Sequence, residues 1–173
     1  MVQKYSPVLR VLHWIIGLLM MGLVLMGFLM TSVFPEPFRF SFYGIHKSLG
    51  ITVLGLAILR IAIRLTTDRI PSVPSVVSMP ERFISRLVYL AFYGVMLAMP
   101  ISGYMMSVAG GHPVEWFGVP VISLFEKNQD IGQMAHTVHE MVGYALLVLL
   151  ILHIGGVIMH WKRDRVNLLK RMW

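Results

Sequence analysis

The stretch HTVHEMVGYALLVLLILHIGGVIMH, His136 to His160, narrows what this chain can be more than any other part of it. Its four histidines interrupt a run otherwise long and apolar enough to cross a bilayer, which takes roughly 20 predominantly apolar residues. Ionisable side chains are costly inside such a run and mark function. His139 and His153 stand 14 positions apart. At about 1.5 Å and 100° per residue they are separated by roughly 21 Å along a helix and lie about 40° off a common face. One helix thus offers two imidazoles to one side, one near each membrane surface.

The rest of the chain supplies the company such a helix needs. A first apolar run spans about Val8 to Val33; it lacks the short core and small-residue cleavage site of a signal peptide and reads as a retained helix. Pro35 and Pro37 then mark a loop, and a second span runs from about Tyr43 to Leu65. Thr66 to Arg82 is a linker broken by Pro71, Pro74 and Pro80. The third span, about Phe83 to Val108, contains Pro100, a kink that neighbouring helices can tolerate. A loop from Ala109 to Gln133 carries Trp116, Phe117, Leu124 and Phe125, which suit an interfacial segment. The fourth span, about 136–161, is the opening stretch, with His136 as a cap or loop residue at its start. With 13% charged residues and a mean hydropathy of +0.73, the chain reads as an all-α integral membrane four-helix bundle of one domain, 1–173. The sequence has no cysteine, which excludes disulfides, cysteine-ligated iron–sulfur clusters and covalently attached haem.

Charge fixes the orientation. Four spans put both termini on one side, and that side with the proline-rich linker (Arg69 included) holds 12 of the 15 lysines and arginines. Arg39, Lys47 and Lys127 fall on the other. By the positive-inside rule both termini are cytoplasmic. His13 then lies at the cytoplasmic end of the first span, and His46 at the external end of the second. His139 is external and His153 lies toward the cytoplasm. Two pairs follow, His46 with His139 outside and His13 with His153 inside. Each can clamp a planar macrocycle between neutral imidazoles, as in a six-coordinate b-type haem suited to electron transfer.

Glycines accompany these four positions. Gly17, Gly50 and Gly143 follow His13, His46 and His139 by four residues, and Gly156 follows His153 by three. Residues three or four apart share a helix face, so each candidate ligand has a missing side chain beside it, where a flat porphyrin needs clearance. Glycine is also common where membrane helices pack closely. His112, His136 and His160 lack this arrangement. His160 competes with His153, since depth alone does not separate them; its place at the polar boundary beside Trp161 and Lys162 favours His153. Zinc fits less well, because no carboxylate or thiolate joins the histidines at ligand spacing.

The pieces RVLHWIIGLL, IHKSLGITVLGLAILRIAIRL, LAMPISGYMMSVAGGHPVEWFG, VHEMVGYALLVLLILHIGGVIMH and RDRVNLLKRM together resemble the prokaryotic cytochrome b561 family. The resemblance covers nearly the whole chain. It implies a four-helix cytochrome of the bacterial inner membrane with two b-type haems, ligated by His13, His46, His139 and His153. It also implies electron exchange with the quinone pool, ubiquinone or another membrane quinone. One branch of the family oxidises superoxide on the periplasmic side, and other members serve as cytochrome b subunits of larger oxidoreductases. A periplasmic donor, superoxide or a redox protein, is therefore expected.

Charge near the external surface does not by itself form a funnel for an anion: Arg39, Lys47 and Lys127 stand against Glu36, Glu115, Glu126, Asp130 and Glu140. Lys47, beside a ligand, suits a haem propionate, a donor anion or an interfacial anchor. Arg60 and Arg64 share one face of the second span near its cytoplasmic end. They suit a propionate or a quinone carbonyl, or snorkelling to lipid head groups. The basic tail from Lys162 to Arg171 suits anionic lipid. Nothing resembles a nucleotide-binding loop, a nucleophile–base pair or a nucleic-acid reader. Three classes remain: a superoxide-to-quinone enzyme, an electron-transfer or anchor subunit, and a helical membrane protein passing metal or protons through its histidines.

Overall fold

The computed structural model describes residues 3–67, 71–72 and 77–173, apart from the side chain of Pro37; Arg69 and Pro74 lie outside the described residues. Four long helices, α1 (Pro7–Ser32), α2 (Glu36–Thr66), α3 (Met79–Ala109) and α4 (Gln129–Arg163), are each apolar and long enough to cross a membrane. The chain is a multi-pass membrane protein.

Three helices start earlier than hydrophobicity alone suggests, and their first turns show why. Pro35 is the N-cap of α2 and Pro37 falls in its first turn, where a missing N–H costs nothing. The two prolines thus begin a helix seven residues before Tyr43, in place of the expected loop. Ser78 starts α3, with its amide and hydroxyl both donating to Glu81 Oε2, at 2.9 and 2.7 Å, half of a capping box. Asn128 caps α4 by accepting from the Ile131 amide at 3.1 Å. His136 accordingly lies inside α4, not at a cap or in a loop. Pro100 remains within α3, buried.

The connection between α3 and α4 contains a two-residue hairpin. β1 (Glu115–Trp116) pairs antiparallel with β2 (Val119–Pro120), and Phe117 and Gly118 take φ of 50° and 88°, as a type I′ turn requires. Ser48 fastens it to α2: its hydroxyl donates to the Glu115 carbonyl at 3.0 Å and accepts from the Phe117 amide at 3.1 Å. Trp116 Nε1 donates to Thr52 Oγ1 at 3.0 Å.

Packing runs in sequence: α1 against α2, α2 against α3, α3 against α4. Along α4 the close backbone neighbour is α3, while α1 and α2 stand further off. A central layer of Leu12, Ile16, Met20, Val53, Ala57, Val95, Met96 and Leu146 closes the middle of the bundle. Leu146, 1% exposed, lies two helical turns from both His139 and His153, so the apolar layer separates an outer half from an inner half.

At the end of the bundle that holds both termini the chain turns back. A 3-10 turn at Leu168–Arg171 brings the Arg171 carbonyl to the Tyr5 amide (3.1 Å) and the Met172 carbonyl to Trp14 Nε1 (2.8 Å). Arg171 donates to the Pro71 carbonyl at 2.6 Å and covers the Tyr5 ring at 5.6 Å. The tail is thus hydrogen-bonded to the start of α1 and the linker. The turn starts from a polar knot: His160 Nδ1 lies 2.5 Å from Asp164, which also accepts from Arg163, and Arg163 reaches Glu81 at the start of α3.

Hydrogen bonds from Arg163 and then His160 hold the Asp164 carboxyl below its usual value of 3.8, at about 2. A depressed carboxylate contributes stability that is present above its unfolded pKa and lost as pH falls through the folded one. The melting temperature of the detergent-solubilised protein should therefore drop between pH 4 and pH 2. In Asp164→Asn it should start lower and change less across that window.

Candidate haem-ligand site

Histidines from three helices meet across the gaps beside α4. The His46 and His139 ring centroids are 6.4 Å apart at 73°, and those of His13 and His153 are 6.0 Å apart at 63°. The structure thus brings together the same two pairs that depth along the chain suggests. Two imidazoles on opposite sides of one metal ion, with metal–nitrogen bonds of about 2 Å, place their centroids roughly 6.3 Å apart. Both pairs have that separation.

The outer pair sits in a cleft of about 370 Å³ to which all four helices contribute, with Met20, Gly50, Val53, Met99 and Leu146 among its walls. Its lining is apolar apart from the imidazoles. His139 Nδ1 lies 2.9 Å from the Met99 carbonyl and 3.2 Å from Ser102 Oγ. A carbonyl only accepts, so Nδ1 carries the hydrogen and Nε2 is left with its lone pair, the tautomer of a metal-ligating imidazole. His46 Nδ1 is buried with no hydrogen-bond partner among the described residues. A buried polar atom of that kind is costly unless the ring is otherwise engaged. These features fit an axially ligated haem.

Glycine does serve the site, in part at positions other than those suggested by reading along the chain. A Cβ on Gly17, Gly50 or Gly156 would meet nothing within 4 Å, and one on Gly143 would meet Met99 Cε at 3.5 Å. The glycines pressed against the rings lie on neighbouring helices. A Cβ on Gly103 would come within 2.9 Å of His139 Cε1, and one on Gly27 within 3.7 Å of His46 Cε1. Sequence offered no signal for these contacts, because they depend on which helices become neighbours; only Pro100, Ser102 and Gly103 clustering in one apolar span hinted at them.

The inner pair has aromatic walls. Trp14 meets His13 at 5.5 Å and Phe92 meets His153 at 5.4 Å, both edge-on. His153 is the most exposed of the four, and an imidazole left open to hydrocarbon would be costly; a planar group between α1 and α4 would cover it. His160 faces elsewhere, toward Asp164, and His112 and His136 are exposed. No group of three or more histidine, aspartate or glutamate side chains able to hold a metal occurs among the described residues, so the arrangement suits a macrocycle that brings its own four equatorial donors.

The cations divide. Arg60 is buried and its Nη1 donates to the Leu9 carbonyl at 2.6 Å; Arg64 Nε donates to the Tyr89 hydroxyl at 2.9 Å, which in turn donates to Tyr93 at 3.0 Å. Outside, Lys47 Nζ donates to the Pro113 carbonyl at 3.2 Å and Arg39 Nη2 to the Phe34 carbonyl at 3.2 Å. Lys47 thus anchors the hairpin and lines an open cleft of about 640 Å³ beside it, with Ser41, Ser48, Glu115 and Phe117.

Four apolar helices with imidazoles facing each other in two layers define a class, that of membrane proteins built around paired histidines. The chain belongs to the prokaryotic cytochrome b561 family, whose pattern it matches over residues 4–173. It is also similar to "Cytochrome b561 homolog 2" of Escherichia coli (strain K12), 26% identical over 174 residues that cover 98% of this chain and 91% of that one. Membership makes it a membrane cytochrome b, with b-type haem and electron transfer as its business.

Gly103→Ala tests the outer site. The added methyl must displace the His139 ring or part α3 from α4, so if His46 and His139 hold a haem its content should fall to less than half. Quantitative low-temperature spectra of the purified variant read this.

Proposed function

We propose that the chain holds two b-type haems, one between His46 and His139 and one between His13 and His153. It carries electrons from a periplasmic donor to the membrane quinone pool, in an inner membrane with both termini cytoplasmic. The observation that carries this reading is the pair of facing imidazoles at each end of the bundle, 6.4 and 6.0 Å between centroids. The haems would supply reversible one-electron chemistry. The protein's own part would be to hold each haem with two imidazoles and to keep water out with the layer around Leu146. Both sites are fixed on rigid helices, so passage needs no moving part.

Superoxide is one donor that balances: two superoxide ions give two dioxygen molecules and two electrons, which with two protons reduce one quinone to quinol. Lys47, next to His46 at the open external cleft, supports attraction of a small anion. Arg60 and Arg64, on the cytoplasmic half of α2, are the proposed contacts for an inner propionate or a quinone carbonyl. The second reading is an electron-transfer or anchor subunit that receives electrons from a redox protein. It is favoured by the outer turns of α4, where Gln133, His136, Thr137 and Glu140 are exposed above the apolar span.

A pyridine haemochrome assay on fully loaded protein should give two haems per chain. Alanine at His46 or His139 should remove the outer haem first, and at His13 or His153 the inner one. Loss of a haem from His160→Ala but not from His153→Ala would reassign the α4 ligand.

Donor identity is read by mixing oxidised protein with superoxide in a stopped-flow spectrometer. If superoxide is the donor, both haems reduce quickly. The rate should fall severalfold between low and physiological salt, and further in Arg39→Glu and Lys47→Glu, while dithionite still reduces both haems. No reaction with superoxide in protein holding both haems would select the redox-protein reading.

A further inference from the structure

Arg60 is the charge in this bundle that its surroundings least account for. It is 7% exposed, within a membrane-spanning helix. A guanidinium keeps its proton everywhere in a protein, and a charge at such a place is expensive unless partnered or used. Among the described residues no ion pair involves it. Its hydrogen bond runs to the Leu9 carbonyl at 2.6 Å, a neutral acceptor on another helix. Arg64, one turn further on, is instead engaged sideways by Tyr89.

The identity of that acceptor matters. Leu9 lies four residues before His13 within α1, so its carbonyl is the one that receives the His13 amide in the helical ladder. The guanidinium therefore closes on the turn that presents His13. Among the described residues the outer pair has no counterpart: Lys47 donates to the Pro113 carbonyl and Arg39 to the Phe34 carbonyl.

We infer that Arg60 is a positioning residue for the inner haem, fixing the turn that carries His13 and biasing that site toward its reduced state. This rests on the reading that His13 and His153 hold the inner haem. Taking up one electron lowers the charge of the iron site by one, so a fixed cation nearby favours the reduced form. A unit charge acting over about 10 Å at an effective dielectric constant of about 20 shifts such an equilibrium roughly tenfold. The inner site then holds electrons more firmly than the outer one, and transfer from outside to inside runs downhill between the two sites.

The test is a redox titration of full-length, haem-loaded protein in detergent, following the two haems separately in wild type, Arg60→Gln and Arg60→Lys. In Arg60→Gln the reduced-to-oxidised ratio of the inner haem at fixed ambient potential should fall about tenfold, equivalent to about 59 mV for one electron. The outer haem should stay within twofold. Arg60→Lys keeps the charge and should restore the inner ratio to within about threefold. An unchanged inner ratio in Arg60→Gln, an equal shift of both haems, or failure of lysine to restore the ratio would overturn the inference. If Arg60→Gln loses the inner haem, retention in Arg60→Lys at near wild-type potential supports it, and loss from both variants overturns it. His13→Ala, run in parallel, separates the two levels: a variant that keeps both haems would refute the ligand reading itself.

Discussion

A hydrocarbon layer gives a buried imidazole nothing to bond with, and that constraint shapes this molecule. Backbone groups are satisfied within four helices because no other open arrangement survives in lipid. The histidines inside them must face one another or a protein acceptor. His139 does both, with Met99 and Ser102 on one ring nitrogen and His46 across the cleft. Everything else in the bundle can be read as the means of keeping α4 at the right distance from α1 and α2. Close packing of α4 on α3 sets one side of that distance, and the apolar layer around Leu146 sets the other.

The small residues on α3 show how tightly this is set. His139 lies so close to Gly103 that a single methyl group would collide with it, so the ring takes its place from the neighbouring backbone rather than from its own helix. Pro100 stands one turn away, in the same part of α3 that offers the Met99 carbonyl. An interior proline removes one bond from the helical ladder, and a residue away the Met99 carbonyl accepts from the His139 ring on α4.

The spans, their number and the depth of each histidine could be read from the sequence, because apolar runs and helical rise are properties of a single element. The starts of α2 and α4 could not. Glu36 to Phe42 and Gln129 to Ala135 are too polar or too proline-rich to join an apolar window, yet Pro35, Pro37 and Asn128 are good helix-starting residues. Contacts between elements were less legible still. Nothing along the chain says that Gly27 will lie under His46, that Arg60 will reach Leu9, or that the residues after Arg163 will return to Trp14. Those facts depend on which helix ends up beside which.

The two non-spanning segments fall into place on the same logic. His13 stands closer to a helix end than His46, His139 or His153, which all lie well inside their helices. Both α1 and α2 are tied down next to their histidine. The hairpin grips Ser48, two residues beyond His46, and the C-terminal turn takes the indole of Trp14, the residue after His13. Such hydrogen bonds contribute about 1 kcal/mol each, modest against the whole, but they act within two residues of His46 and His13. In the proposed orientation an electron moving inward also moves against the resting membrane potential, at about 2.3 kcal/mol per 100 mV for a full crossing. A bundle that conducts in that direction needs its inner site to hold electrons the more firmly, and the buried cation lies on that side.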